Sequence, residues 1–214
     1  MDRLRERGQL DNTVIVFTSD HGESLGDHGL LYKGCRFYEG LVRVPLIFRW
    51  PGHVQAGVQS DALVELPGKT STIVDVAGAG GLEQLQGRSL LPLLCGQVSP
   101  EFHRDFVRSE YYDALDSSFI GSGSPDTPTA ADVSGETTSE GTFGTMYRDR
   151  RYKLVVYHGH EIGELFDLAT DPWEFENLWD DPASAEVKSR LLRASFDASI
   201  RATVDVGTRR VAPM

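Results

Sequence analysis

The chain has 214 residues, of which 40% are hydrophobic and 25% charged, a composition typical of a globular protein that buries a core. Its formal net charge of -11 and its pI near 4.9 argue against a nucleic-acid or anionic-membrane surface, since such partners attract clusters of lysine and arginine. The two cysteines are too few for a disulfide framework, and no apolar run is long enough to form a transmembrane segment.

The first predicted elements are a short helix over residues 1 to 7 and a strand at Thr13 to Thr18. Val14 to Phe17 form an unbroken apolar run, which favours a strand that is covered on both faces. In an open parallel sheet, ligands bind beyond the carboxyl ends of the strands, and Asp20 and His21 fall at such an end. A carboxylate and an imidazole there suit a divalent metal, with a plain turn capped by the aspartate as the alternative.

A glycine-rich loop from Gly22 to Gly34 follows, and its irregular backbone is expected to bring Lys33 close to Asp20 and His21. A second buried strand is predicted at Val44 to Arg49, where a Trp-Pro-Gly turn ends it. The loop that carries the polar groups therefore lies between two apolar strands.

The middle of the chain contains a predicted helix at Leu63 to Gly78. Its Gly68-Lys69-Thr70 is not a phosphate-binding loop, because the first glycine of that motif would fall at Leu63. Residues 116–142 are rich in Ser, Gly and Thr and predict a long loop without regular structure, with a border of the substrate pocket as the alternative.

The C-terminal part has the pattern of a small antiparallel sheet followed by a helix. Its predicted strands and helix are Phe106 to Arg108, Phe143 to Arg148, Arg151 to His158, Glu164 to Leu168 and the helix Ala183 to Val204.

Two stretches of the sequence resemble the sulfatase family of the alkaline phosphatase superfamily. The first runs from Asp20-His21-Gly22-Glu23 through Leu25-Gly26-Asp27-His28-Gly29-Leu30 and Lys33-Gly34 to Arg43-Val44-Pro45-Leu46-Ile47. The second contains Glu164-Leu165-Phe166-Asp167-Leu168, Asp171-Pro172-Trp173-Glu174 and Glu176-Asn177-Leu178. It is similar to the C-terminal subdomain of that family.

The resemblance implies an α/β fold. We expect a partial sulfatase-like sheet with flanking helices, and a small C-terminal antiparallel sheet packed with a terminal helix. Residues 1–104 would form the C-terminal part of the catalytic α/β domain, and residues 105–214 the C-terminal subdomain with its loop at 116–142.

The resemblance also implies roles for three residues. Asp20 and His21 match the family positions that bind the divalent cation, usually Ca²⁺ and sometimes Mn²⁺. Lys33 matches the catalytic lysine that contacts the oxygens of a sulfate ester substrate. Without the match of the flanking motif, Lys33 would be interpreted as a solvated loop lysine. A compact ammonium and a metal can together neutralise charge that develops on a tetrahedral sulfuryl or phosphoryl group.

Other parts of the family's site are missing from this sequence. Sulfatases attack sulfur with a formylglycine made from a Cys/Ser-x-Pro/Ala-x-Arg motif, and neither Cys35 nor Cys95 lies in one. The family's Asp-Asp metal pair has no counterpart, and Ca²⁺ takes about six to eight oxygen ligands. We therefore expect the C-terminal portion of a longer sulfatase, inactive alone and completed by a missing N-terminal half, with a truncated relative as the alternative.

Two other functions stay open. The chain could be a non-catalytic binding or scaffold protein derived from a sulfatase. It could also belong to a phosphonate monoester or phosphodiester hydrolase, because those relatives share the metal site and the tetrahedral chemistry.

Overall fold

The structure is a computed structural model that describes residues 1–80, 85–112 and 143–204. Short 3-10 turns lie at Leu10–Asn12, Asp27–Gly29 and Pro182–Ser184. Within the described ranges, no helix combines the length and the apolar character that crossing a membrane requires. The helices and strands are α1 (Asp2–Glu6), β1 (Ile15–Thr18), α2 (Glu39–Val42), β2 (Leu46–Arg49), α3 (Pro67–Val76), α4 (Leu91–Leu94), β3 (Val107–Tyr112), β4 (Phe143–Arg148), β5 (Tyr152–His158), β6 (Gly163–Asp167) and α5 (Ala185–Val204).

The chain divides into two compact units, each assembled from stretches that are separated in sequence. The first unit contains Met1–Asp20, Pro45–Val107 and Phe196–Met214, and the second contains His21–Val44 and Arg108–Ser195. The expected division between residues 104 and 105 stays a prediction. The Ser/Gly/Thr-rich loop expected at 116–142 lies outside the described residues.

The first unit holds a two-stranded sheet in which β1 and β2 run antiparallel, with Phe17 opposite Ile47. The apolar run of β1 predicts a parallel sheet covered on both faces, and this prediction is wrong for the described residues. Phe17 is 61% exposed and Ile47 58% exposed, so one face of the pair lies open. A continuous apolar run indicates side chains that suit burial on both faces of a sheet. The described part of the chain, however, supplies no layer over the open face of the β1–β2 pair.

Elsewhere in the first unit, helix α3 is fixed by close contacts of small residues. The fully buried Thr72 hydroxyl donates to the carbonyl of Gly68 at 2.6 Å and accepts the N–H of Leu90 at 2.8 Å. A Cβ at Gly68 would meet the carbonyl of Arg88 at 2.6 Å, so this helix and the irregular segment around Arg88 approach too closely for any larger residue. Helix α3 was predicted, and its packing depends on these two positions.

The second unit is built on a four-stranded sheet in the order β3-β4-β5-β6, with antiparallel pairing of β4 with β5 and of β5 with β6. Its fully buried residues include Leu154, Val155 and Leu165. The β4–β5 turn is held by Asp149, whose Oδ1 accepts the N–H of Arg151 at 2.8 Å. The expected fold, a partial sheet with helices plus a small antiparallel sheet, is confirmed.

The first half of α5 packs beside this sheet within the second unit. Leu191 is fully buried, and the guanidinium of Arg190 lies 5.9 Å from the ring centre of Tyr152 and 3.4 Å from Asp149. The periodic apolar pattern of the sequence predicted the existence of this helix. Only part of the predicted apolar face is buried, because Leu192, Phe196 and Ile200 are 37%, 67% and 49% exposed.

Candidate functional site

The site begins where β1 ends. Strand β1 finishes at Thr18, and Asp20 follows as an exposed residue whose Oδ1 lies 3.4 Å from the hydroxyl of Ser19. Asp20 is the last residue of the first unit's opening stretch, and His21 is the first residue of the second unit. The predicted metal motif is thus placed at a strand end, as the sequence suggested.

The structure brings two of the three predicted site residues together. The Nζ atom of Lys33 lies 2.7 Å from Nε2 of His21, and both side chains are exposed. The other ring nitrogen, Nδ1, lies 2.7 Å from the carbonyl oxygen of Gly22. A carbonyl can only accept, so we assign the proton to Nδ1 and the lone pair to Nε2, where the ammonium of Lys33 donates to it.

Gly22 connects this pair to helix α2. Its N–H donates to the carbonyl of Leu41 at 2.8 Å, and a Cβ at this position would collide with the carbonyl oxygen of Gly40. The residue after His21 must therefore be glycine for the loop to approach the helix this closely. The orientation of His21 depends on α2 through that contact.

The glycine-rich loop is ordered by unusual backbone angles and by ring stacking. Leu25 and His28 both have a φ of 51°, a left-handed conformation that side chains rarely adopt. The ring of His28 stacks on Tyr38 at 3.8 Å with an interplanar angle of 7°, and Phe175 lies 5.2 Å away on a tilted plane. These rings hold the middle of the loop, so that Lys33 can return to His21.

Behind the loop lies a buried cluster of charges that the sequence did not identify as functional. Lys153 on β5 is 0% exposed, and its Nζ lies 2.7 Å from Oε1 of Glu39 and 2.6 Å from Oε1 of Glu174. The available signal was a lysine directly before the apolar run Leu154 to Tyr157 in a predicted strand, since lysine is seldom buried without a partner. Its partners are too distant in sequence for any local pattern to reveal.

A second buried pair lies beside this cluster. The hydroxyl of Tyr157 donates to Oε1 of Glu164 at 3.0 Å. Burial raises the pKa of the Glu164 carboxyl, and burial together with the nearby carboxylates of Glu164 and Glu174 raises the pKa of Tyr38 to about 12. Burial therefore favours the neutral, protonated forms of Glu164 and Tyr38. We assign neither side chain a role in the chemistry of the exposed His21–Lys33 pair.

The residues fit part of a divalent-metal site. A histidine that donates from Nδ1 to a backbone carbonyl keeps Nε2 as the ligand atom, which is the arrangement metal-binding histidines commonly use. Asp20 adds a carboxylate. Among the described residues, no group of three or more His, Cys, Asp or Glu side chains converges to hold an ion.

Comparison with known proteins finds sulfatases along most of the chain. The sulfatase family model matches residues 1–79. An N-acetylglucosamine-6-O-sulfatase from Bacteroides thetaiotaomicron is 30% identical over 195 residues, which is 90% of this chain and 31% of the relative. Arylsulfatase K from Danio rerio is 39% identical over 202 residues, covering 92% of this chain and 34% of the relative. The chain is therefore similar to the sulfatase family.

A solved structure agrees with this similarity and widens it to the superfamily. The phosphonate monoester hydrolase SpPMH from Silicibacter pomeroyi matches with a TM-score of 0.77 and 32% identity, over 94% of this chain and 37% of the neighbour. The chain spans about a third of the length of the curated relatives it matches. The resemblance stated from the motifs is confirmed.

Proposed function

We propose that this chain supplies part of the metal and sulfate site of a sulfuric ester hydrolase. The observation that carries the proposal is the 2.7 Å contact between Lys33 and His21, on a loop that follows the carboxylate of Asp20. Asp20 and His21 would hold the divalent cation, Ca²⁺ first and Mn²⁺ second. Lys33 would bind the sulfate oxygens and serve as the catalytic cation of this half of the site.

The chemistry of these side chains supports that assignment. A bound divalent cation supplies Lewis-acid polarisation of a sulfuryl oxygen. Lys33 offers three N–H donors on a flexible stem, which suits a tetrahedral anion with several acceptor oxygens. Gly22 fixes the ring of His21, so its Nε2 lone pair is held in one direction before any ligand arrives.

The nucleophile is the part of the reaction that these residues do not supply. Because the printed sequence has no Cys/Ser-x-Pro/Ala-x-Arg motif, we expect the purified 214-residue chain to give no turnover of an aryl sulfate. Hydrolysis at ordinary enzyme rates would refute this part of the proposal.

Metal binding can be tested on the chain as it exists. Mn²⁺ is added to the ¹⁵N-labelled protein, and we expect paramagnetic broadening of the signals of His21 and Lys33 that Ca²⁺ reverses. Asp20→Ala should abolish the broadening. The matched control is Asp61→Ala, which removes an exposed loop carboxylate of the first unit that is outside the motif in sequence. Equal broadening in the Asp20 variant and the control would overturn the assignment.

Phosphonate ester hydrolysis is the second candidate, because the structure of a phosphonate monoester hydrolase matches over 94% of this chain. The two candidates differ in the anion that Lys33 should prefer. Titrating the Mn²⁺-loaded chain with inorganic sulfate and with methylphosphonate, while following the Lys33 side-chain signals, separates them. Tighter binding of sulfate supports the sulfatase assignment, and tighter binding of methylphosphonate supports the alternative.

A further inference from the structure

The buried charge cluster holds one short segment of the second unit from two sides. Lys153 donates to the carbonyl of Phe37 at 2.9 Å, and Oε2 of Glu174 accepts the backbone N–H of Glu39 at 2.7 Å. The same side chains form the ion pairs of Lys153 with Glu39 and Glu174. The segment from Phe37 to Glu39, which leads into helix α2, is therefore fixed through both its backbone and its side chain.

Helix α2 carries this restraint to the site. Glu39 is its first residue, and the carbonyl of Leu41, two residues later, accepts the N–H of Gly22. Gly22 in turn accepts a hydrogen bond from the ring of His21, and that ring binds Lys33. Hydrogen bonds and the short backbone stretches between them thus join the buried cluster to the exposed pair.

The cluster contains a residue whose backbone is unfavourable. Glu174 has a φ of 61°, in the left-handed region that favours glycine, while its side chain is almost completely buried. Such a conformation persists only where the surroundings fix it strongly, and it gathers at sites that need a defined geometry. The charges are balanced within the cluster, because Arg148 lies 3.5 Å from the second oxygen of Glu39 and offsets the second carboxylate.

We propose that Lys153, Glu39 and Glu174 are positioning residues that set the orientation of the His21–Lys33 pair through helix α2. This inference rests on the proposed function for the role of that pair, but the structural link itself is independent of it. A core of apolar residues could stabilise the unit as well as buried charges do. What the charges add is directed hydrogen bonding to the backbone of Phe37 and Glu39, which apolar side chains cannot provide.

The test uses the full chain in metal-free buffer. Lys153→Met removes the ammonium and keeps the length of the stem, and Glu174→Gln removes one charge and keeps an oxygen acceptor for the Glu39 N–H. Two signals are followed: hydrogen exchange of the Gly22 amide and the ¹⁵N shift of His21 Nε2. We expect the amide to exchange at least about tenfold faster than the change in global stability alone explains, and the Nε2 shift to move.

A control separates positioning from a general loss of stability. Leu165→Ala makes a cavity at a fully buried residue of the same sheet without touching a charge. This control should speed the exchange of the Gly22 amide only in proportion to the global destabilisation of the variant. It should leave the ¹⁵N shift of His21 Nε2 unchanged. If Lys153→Met fails to fold, Glu174→Gln carries the test.

The outcomes distinguish this inference from the proposed function. Unchanged Gly22 and His21 signals in the folded variants would overturn the positioning role, whatever the chain binds. Altered signals support it, and Mn²⁺ binding by the unmodified chain is measured separately. A chain that shows altered signals in the variants but binds no Mn²⁺ supports the positioning link and overturns only the metal assignment.

Discussion

Two glycines in contact offer a matched test of how closely the motif loop is joined to helix α2. Neither Gly22 nor Gly40 has a left-handed φ, so alanine at either position brings no backbone strain. A Cβ at Gly22 would collide with the carbonyl oxygen of Gly40 and lie 2.9 Å from the carbonyl carbon. A Cβ at Gly40 would lie 3.7 Å from Oδ2 of Asp27, which is an ordinary contact. The two substitutions add the same methyl group on opposite sides of one interface.

The structure predicts that the two substitutions change the free energy of unfolding in opposite directions. Gly22→Ala must move the loop away from α2, and overpacking with the loss of the Gly22–Leu41 hydrogen bond should cost about 2–4 kcal/mol. Gly40→Ala lies in a helix and should stabilise by about 0.5–1 kcal/mol. In a chain of this size roughly 1 kcal/mol moves the unfolding midpoint by 2–4 °C, so the two variants should differ by about 5–20 °C.

The measurement is thermal unfolding followed by circular dichroism, together with the Mn²⁺ broadening of the His21 signals. We expect Gly22→Ala to lower the midpoint and weaken the broadening, and Gly40→Ala to raise the midpoint slightly and keep the broadening. Equal midpoints for the two variants would refute the close approach of the loop and the helix. A destabilised Gly22→Ala that still shows full broadening would refute the dependence of His21 on that approach.

Three further predictions concern buried polar groups. Thr72→Val leaves the N–H of Leu90 without its acceptor and should cost about 1–3 kcal/mol in urea unfolding. Thr72→Ser keeps the acceptor and should cost only about 0.8 kcal/mol for the lost buried methyl group. Burial raises the pKa of Glu164, so the folded chain binds more protons than the unfolded chain and loses stability as the pH rises through the folded pKa. Glu164→Gln lacks this loss, so its thermal unfolding midpoint relative to the wild type should increase above pH 4.5. Burial, and then the charges of the neighbouring arginines, lower the pKa of His103. Its contribution to folding stability is therefore complete above pH 6.5 and is lost as the pH falls towards the folded pKa. The thermal unfolding midpoint of His103→Gln relative to the wild type should increase below pH 6.5. Parallel pH profiles of variant and wild type would contradict either of the last two.

The elements that the sequence predicted are those set by local signals. The β4–β5 hairpin was predicted because two apolar runs flank Asp149-Arg150, and Asp149 makes the backbone hydrogen bonds of that turn. Helix α5 was predicted from its apolar period. The contact of His21 with Lys33 followed from a glycine-rich loop whose motifs resemble those of one family. In each case the information lies within a few turns or one loop of the chain.

The features that the sequence missed depend on distant contacts. Glu39 meets Lys153 and Glu174 across more than a hundred residues, and no spacing rule connects them. The exposure of Phe17 and Ile47 was missed for a related reason. An apolar run shows that a strand is suited to burial on both faces, but whether a layer covers it depends on residues elsewhere.

The proposed site places the residues assigned to ligand binding at the surface and the residues assigned to positioning them in the core. His21 and Lys33 are exposed, and an exposed contact between two polar side chains contributes little to stability, typically about 0–1 kcal/mol. The pair can therefore exchange its mutual contact for a ligand at small cost. Lys153 and Glu174 are buried, and breaking their pairing leaves a buried charge without compensation, about 3–5 kcal/mol. Because the supporting interactions are much stronger than the exposed contact, the pair can give up that contact to a ligand without disturbing the backbone that carries His21.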